Sequence, residues 1–178
     1  MKFTSTGIAD LWLIEPRVFE DSRGYFFESF NEQSFKNQTG IAIDFIQDNE
    51  SRSTKGVLRG MHFQKREHAQ AKLVRVIEGE VQDVAVDLRE GSPTFGEHFS
   101  VNISAENKKQ LFIPRGFAHG FLVLSETAVF SYKCDNYYNK ESEGGLLYSC
   151  PNLGIDWQLK DTQLLLSDKD IILPCFEK

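Results

Sequence analysis

The feature that most constrains this chain is a recurrence of short apolar runs with the period of strands. Segments of four to eight residues, rich in Val, Ile and Phe, are separated by turn residues. Nine such runs stand out, at 25–30, 43–48, 57–64, 71–77, 81–88, 98–103, 110–113, 120–124 and 129–134. Glu78-Gly79-Glu80 reads as a hairpin turn, and Arg89-Glu90-Gly91-Ser92-Pro93 ends another strand. Helix signals are sparse. One lies at 31–38, opened by Asn31 as a cap, and a second short piece falls near 167–170. Many closely spaced strands with almost no helix predict an all-β sandwich or barrel with short flanking helices. No repeat, low-complexity tract or linker divides the 178 residues, so residues 1–178 read as one domain.

Composition narrows the function. Twenty Lys and Arg against 26 Asp and Glu leave a net charge of −6. That sign opposes nucleic-acid binding by bulk electrostatics, but an acidic whole can hold a basic pocket for an anionic small molecule. The N-terminal stretch has no continuous apolar core of a secretory signal, and no run of about 18 apolar residues suggests a membrane span. The expected place is the cytoplasm. Cys134, Cys150 and Cys175 are odd in number and widely spaced. They describe neither a disulfide framework nor a zinc knuckle, and read as buried or idle thiols in a reducing cytosol.

A barrel encloses a ligand when some inward side chains are polar, so polar residues within apolar runs are the informative ones. Three stretches carry them: Gln47-Asp48-Asn49-Glu50-Ser51, Val57-Leu58-Arg59-Gly60-Met61-His62-Phe63-Gln64 and Gln70-Ala71-Lys72-Leu73-Val74-Arg75-Val76. A charge there must face water, a partner or a ligand. Taken singly, Arg59, Lys72 and Arg75 are each explained by the wet face of a two-sided strand, and His62 by a satisfied structural role. Parity sets His62 and Gln64 on one face and Arg59 on the other, unless a bulge at Gly60 re-aims Arg59.

Pro114-Arg115-Gly116-Phe117-Ala118-His119 has the P-x-G-x-x-H spacing of the second motif of cupin barrels, which delivers a histidine to the barrel mouth. The first cupin motif needs H-x-H and a following Glu, whereas this chain has His62-Phe63-Gln64. Two histidines without a placed carboxylate are too few for a typical catalytic metal site, so the reading is a cupin-like barrel with no metal. His68 and His98 sit among charged residues and read as solvent-facing.

Together the motifs resemble one family, the dTDP-4-dehydrorhamnose 3,5-epimerases. The matching segments are Asp21-Ser22-Arg23-Gly24-Tyr25-Phe26-Phe27-Glu28, Gln47 to Ser51, Gly56 to Gln64, Gln70 to Val74 and Asp87-Leu88-Arg89 with Ser92 to Gly96. Ile113 to Phe121, Tyr132-Lys133-Cys134, Tyr137-Tyr138, Ile155-Asp156-Trp157 and Ser167-Asp168-Lys169-Asp170 complete the set, in order along nearly the whole chain. The resemblance implies a cupin-like jelly-roll barrel, a homodimer with shared active sites, and neither metal nor cofactor. It implies inversion of C3 and C5 of dTDP-4-dehydro-6-deoxy-D-glucose to give dTDP-4-dehydro-L-rhamnose, in dTDP-L-rhamnose biosynthesis. By the same resemblance His62 is the general base, oriented by Asp170, Tyr132 is the acid, and Lys72 stabilises an enolate. Arg23, Glu28, Gln47, Asn49, Arg59, His119, Glu143 and Lys169 match substrate contacts, and Tyr138 matches the aromatic that stacks on thymine. Arg23 and Glu28 are implied to reach the partner subunit's site. The chain departs from the family at Tyr148, often Trp, and at Ser149-Cys150, often a more polar pair.

The residue types suit that chemistry. Imidazole is a base near neutral pH, a carboxylate fixes its tautomer, a cation meets the charge growing on the C4 oxygen, and a phenol can return a proton from the opposite face. Guanidinium suits diphosphate, so Arg23, Arg59 and Lys72 are candidates for a positive lining. The alternatives are a related cupin that epimerises only C3 or isomerises a keto-sugar nucleotide, a metal-dependent cupin oxygenase, and a sugar-binding module without catalysis.

Overall fold

Successive strands of this chain are sent to opposite sheets, and that alternation builds a hollow. In the computed structural model, which describes residues 1–177, one sheet has six strands. Its spatial order is β1 (Lys2–Ser5), β2 (Trp12–Glu15), β10 (Gln110–Ile113), β7 (Lys72–Glu78), β12 (Thr127–Cys134) and β5 (Gln47–Thr54). The other sheet runs β13 (Glu143–Gly145), β6 (Leu58–Gln64), β11 (Phe117–Val123), β8 (Glu80–Asp87) and β9 (His98–Ser104). A separate hairpin pairs β3 (Phe19–Asp21) with β4 (Gly24–Phe26). From β5 onward the chain crosses between sheets at almost every connection, which makes the predicted jelly-roll barrel.

Three layers of apolar contact follow. Val74, Val76, Ala128 and Phe130 of the six-stranded sheet face Ala85, Phe117, Phe121 and Val123 of the five-stranded one. The outer face of the six-stranded sheet, at Ile14, Leu73 and Phe112, is covered by Phe35 of helix α1 (Glu32–Thr39) and by the coil carrying Ile43 and Phe45. Asn31 caps α1 as predicted, its Oδ1 accepting from Ser34 N–H at 2.9 Å. The outer face of the five-stranded sheet, at Met61, Val84, Val86 and Ala118, is covered by Leu146, Cys150, Leu153 and Phe176 from the C-terminal stretch.

Several expectations are corrected. Glu78-Gly79-Glu80 is not a hairpin, because β7 and β8 lie in different sheets. Gly79 (φ +79°) turns a corner so tight that a Cβ would stand 2.1 Å from the Thr127 carbonyl oxygen. The run at 43–48 is mostly coil, and the strand is the polar segment after it. The run at 25–30 is strand only at its start, in β4. Strands β1, β2 and β13 carry no strong pattern and were not expected. The largest correction concerns the cysteines. Cys150 and Cys175 form a disulfide, Cα to Cα 5.2 Å, and Cys134 alone is a free, buried thiol. Wide spacing hid the pair, since the tail folds back across the barrel to bring the two together. Among the described residues, no helix is long and apolar enough to cross a membrane.

Candidate active site

The hollow between the sheets opens as a cavity of about 570 Å³. His62, Arg59, Lys72, His119, Tyr132, Lys169 and Asp170 all line it, with Phe121 and Phe130 as an apolar floor. Seven of the thirteen residues singled out in the sequence therefore converge on one space.

Two carboxylate–histidine pairs face the cavity. His62 Nε2 lies 2.6 Å from Asp170 Oδ1. Asp170 is 3% exposed and is held by α2 (Asp168–Ile171), a single turn capped by Ser167, whose Oγ accepts from Asp170 N–H. With the carboxylate ionised, Nε2 carries the hydrogen and Nδ1 is the free basic nitrogen. Burial pushes the His62 pKa down, Asp170 pulls it back up, and Lys169 and Lys72 push it down again, leaving it below the usual histidine value. His119 is the cross-strand neighbour of His62, and its Nε2 lies 2.9 Å from Asp83 Oδ2. Asp83 is fully buried and was not foreseen, although a carboxylate inside Val81-Gln82-Asp83-Val84-Ala85 breaks the apolar pattern just as Lys72 does.

A bulge at Gly60 resolves the parity conflict. Between the pairs His119↔His62 and Phe121↔Arg59, β6 holds one residue more than β11. Gly60 (φ +135°) sits against the Gly120 backbone, where a Cβ would be 2.5 Å from Gly120 Cα. The extra residue turns Arg59 onto the cavity side with His62. Arg59 Nε donates to Ser53 Oγ at 3.2 Å, and no carboxylate pairs with the guanidinium among the described residues.

The six-stranded sheet supplies the opposite wall. Lys72 of β7 and Tyr132 of β12 point inward, Lys72 Nζ standing 5.8 Å from the Tyr132 ring centroid. Among the described residues, no hydrogen bond or ion pair engages Nζ. Desolvation lowers the Lys72 pKa, against the pull of Cys134 and Asp83. Burial raises the Tyr132 pKa, with Cys134 in the same direction and Arg59 opposing, so the phenol keeps its proton at neutral pH. Phe121 stacks on Phe130 at 4.1 Å between centroids, and Phe130 lies 5.9 Å from the His119 ring.

The other predicted residues lie outside the cavity lining. Tyr138, Glu143, Gln47 and Asn49 form a chain at its mouth. Tyr138 Oη donates to Glu143 Oε2 at 3.3 Å, and Lys169 Nζ is ion-paired with Glu143 Oε1. Gln47 Oε1 accepts from Tyr138 N–H at 3.2 Å, and Gln47 Nε2 donates to Asn49 Oδ1 at 3.0 Å. Tyr138 is exposed. Arg23 is apart, paired with Asp21 in the β3–β4 turn, and Glu28 accepts from Asn31 Nδ2. Arg75 lies on the outer face of its sheet beside Ser131 and Lys133, as the wet-face account has it. Gln64, at the second cupin ligand position, is turned to structure, its Oε1 accepting from Asn139 N–H at 2.9 Å. His68 and His98 are half-buried rather than fully in solvent, and neither lines the cavity.

Leu165, Leu166 and Ser167 of the tail also line the cavity, held by Leu165 N–H to the Gly56 carbonyl at 2.8 Å and Leu58 N–H to the Leu165 carbonyl at 3.1 Å. No sequence pattern marks Leu165 and Leu166, because that stretch has neither strand nor helix period, whereas Ser167 opens the short helical piece expected near 167–170.

Comparison with known proteins identifies the family and the fold. The family model described as dTDP-4-dehydrorhamnose 3,5-epimerase matches residues 5–178. The dTDP-4-dehydrorhamnose 3,5-epimerase of Shigella flexneri is 54% identical over 171 residues, 96% of this chain and 93% of that one. The crystal structure of the Elizabethkingia anophelis NUHP1 enzyme of that name superposes with a TM-score of 0.96 at 58% identity, covering 99% of this chain and 96% of the other. The dTDP-6-deoxy-D-glucose-3,5-epimerase of Legionella pneumophila Philadelphia 1, solved with dTDP-4-keto-L-rhamnose, superposes with a TM-score of 0.91 at 49% identity, covering 99% of each chain. With the whole chain matched at these identities and the same fold beneath it, the protein belongs to the dTDP-4-dehydrorhamnose 3,5-epimerase family.

Proposed function

We propose that the cavity binds dTDP-4-dehydro-6-deoxy-D-glucose and inverts C3 and C5 in turn, giving dTDP-4-dehydro-L-rhamnose for dTDP-L-rhamnose synthesis. One observation carries the reading: a half-buried His62 on one sheet, paired with the buried Asp170 of α2, faces a protonated Tyr132 on the other sheet, with an unpaired Lys72 beside the phenol. A base and an acid on opposite walls is the arrangement that inversion needs.

In each half, His62 Nδ1 removes the proton beside the ketone, and the electron pair moves onto the C4 oxygen as an enolate. Asp170 stabilises the imidazolium that forms. Lys72 meets the oxygen's new negative charge. Tyr132 delivers a proton to the opposite face of the same carbon, and the ketone is restored. His62 then loses its proton and Tyr132 regains one by exchange with water, so no net proton is consumed. Arg59 suits the diphosphate, with Lys169 at the mouth, and Tyr138 is exposed for stacking on the thymine. Gln47, Asn49, Glu143 and His119 complete the contacts in this reading.

The enzyme works in this reading as a cytosolic homodimer. The β3–β4 hairpin leaves Phe19, Tyr25 and Phe26 exposed and holds Arg23 away from its own cavity. A second copy covering those aromatics would receive Arg23 and Glu28 at its site, and a monomer in sedimentation at working concentration would remove this part.

The test is turnover of dTDP-4-dehydro-6-deoxyglucose in heavy water, with and without chelator. Deuterium at both C3 and C5 supports the double epimerase, while deuterium at C3 alone favours the C3-only alternative. Loss of activity in chelator would point to a metal-dependent cupin, and ligand-induced stabilisation without turnover to a binding module.

A further inference from the structure

We infer that the Cys150–Cys175 disulfide is a redox-sensitive strap that sets the position of Asp170, and through it the activity of His62. The inference rests on the reading of His62 and Asp170 given above.

The tail reaches Asp170 between two anchors. The upstream anchor is Leu165, bonded through its backbone to Gly56 and Leu58 in a short parallel bridge with Val57. The downstream anchor is Cys175, five residues past Asp170 and tied covalently to Cys150. Between them stand the four-residue turn α2, too short to hold itself, Leu173 against Gly145, and Pro174, whose carbonyl accepts from Leu147 N–H. Two residues of the span, Ile171 and Ile172, are exposed and pack little. The position of the Asp170 carboxylate is therefore set at its ends. Reduction would leave weaker ties downstream: Leu147 N–H to the Pro174 carbonyl at 2.8 Å, Asn152 Nδ2 to the Phe176 carbonyl at 2.8 Å, and the buried Phe176 ring against Phe95.

The two sulfurs differ in access. Cys175 is exposed and Cys150 is 2% exposed. A thiolate of a dithiol reductant attacks Cys175 Sγ, the S–S bond breaks, and Cys150 leaves as a thiolate. The Phe176 backbone N–H, 3.1 Å from Cys150 Sγ, donates to the sulfur on which that charge appears. The second thiol of the reductant then attacks the mixed disulfide and releases Cys175. Two electrons and two protons pass from the dithiol, which becomes a disulfide, to two cysteine thiols. An oxidised partner of the same class reverses the step.

The experiment uses the full-length enzyme, oxidised or treated with dithiothreitol, with the free thiols counted by alkylation and mass. Full reduction is expected to lower kcat about tenfold because the Asp170–His62 contact is displaced, with KM changing less, since of the substrate contacts only Lys169 shares the displaced turn. The acid limb of kcat/KM should move to lower pH as Asp170 loosens. The other charged or titratable groups around His62 do not replace it: Lys169 on α2, Lys72 on β7 and Arg59 on β6 are cations, Glu143 on β13 is paired with Lys169, His119 on β11 with Asp83, and Tyr132 on β12 stays protonated. Reoxidation should restore both readouts. A Cys150→Ser/Cys175→Ser double variant should behave as the reduced enzyme and ignore dithiothreitol. Unchanged kcat and pH limb after complete reduction would overturn the inference, as would an equal loss on reduction in an Asp170→Asn background. Wild-type turnover by Asp170→Asn itself would instead remove the assigned role of Asp170, so the two failures read apart.

Discussion

Replacing Asp170 by Asn isolates the electrostatic half of the proposed base. The substitution keeps shape and nearly all packing in a residue that is 3% exposed, and changes only charge and hydrogen-bonding sense. In the wild type the carboxylate oxygen lies 2.6 Å from His62 Nε2, which puts the imidazolium charge about 4 Å from the carboxylate charge when His62 holds the substrate's proton. At an effective dielectric of about 20 that pair attracts by about 4 kcal/mol. An Asn carbonyl oxygen retains a neutral hydrogen bond of about 1 kcal/mol, leaving a net loss of about 2–3 kcal/mol. That corresponds to a fall in kcat of about 30- to 150-fold. An Asn turned to present its amide would force the ring proton onto Nδ1, the nitrogen that must accept, and deepen the loss. The pH dependence has a definite sign. His62 acts only when neutral, so the rate falls as pH drops through its pKa. Asp170 raises that pKa, and its removal moves the acid limb of kcat/KM to lower pH. The assay is initial rate across pH, with melting temperature as a check on folding. A folded Asp170→Asn enzyme with kcat within about threefold of wild type, and an unmoved limb, would refute the reasoning.

Three further outcomes are expected. Lys72→Met should lower kcat by about 100- to 1000-fold and slow deuterium wash-in at C3 and C5 together, since one cation serves both enolates; wash-in at wild-type rate would remove its role. Tyr132→Phe should cost about 100-fold in inversion while His62 still forms the enolate, so deuterium enters with retained configuration from the base's own face, as NMR of recovered substrate would detect. Asp87→Ala should destabilise the fold by about 3 kcal/mol in urea titration, because a fully buried carboxylate holds Arg89, Ser92 and Thr94 together. Burial alone would raise the Asp87 pKa, but those hydrogen bonds outweigh it and hold the carboxyl well below its ordinary value. Its contribution is therefore complete above the unfolded pKa and lost as pH falls, so wild type and variant should converge in acid.

What the sequence disclosed depended on whether local period and burial agreed. In β7, Lys72, Val74 and Val76 share one parity, and in β12 so do Ala128, Phe130, Tyr132 and Cys134, so an inward Lys and Tyr were readable from alternation once the strands were assigned. Strand β5 defied that logic. Gln47–Thr54 has no apolar alternation because it is an edge strand whose even residues are exposed and whose odd, less exposed residues are polar. The apolar run before it, with Ile43 and Phe45, is coil lying on the outside of the sheet, where burial needs no period. Arg59 required knowing whether Gly60 bulges, and that depends on the register with β11, a partner about sixty residues away. Of the tail, Asp170 was legible only through family resemblance, and the roles of Leu165 and Cys175 were missed: all three are positioned by contacts with residues 56–62 and 150, which no window along the chain contains.

On the proposed mechanism, the charge pattern of the cavity explains how an acidic protein would stabilise an anion that exists only in passing. Asp170 lines the cavity and Asp83 is buried beneath His119, but each is paired with a histidine, and Glu143 is paired with Lys169. Arg59 and Lys72 have no carboxylate of their own among the described residues. In the proposed reading the complement of Arg59 is the diphosphate, which is fully charged from the moment of binding, and that contact would favour ground and transition states alike. Lys72 differs. Its ammonium is desolvated without a partner, at a cost visible in its lowered pKa. A neutral ketone offers it only a dipole, whereas the enolate oxygen offers a full charge, worth about 4 kcal/mol at about 4 Å and an effective dielectric of about 20. The stabilisation therefore arrives mostly as the proton leaves. An interaction of that kind raises kcat rather than binding, which is why the half-buried cation is better left unpaired.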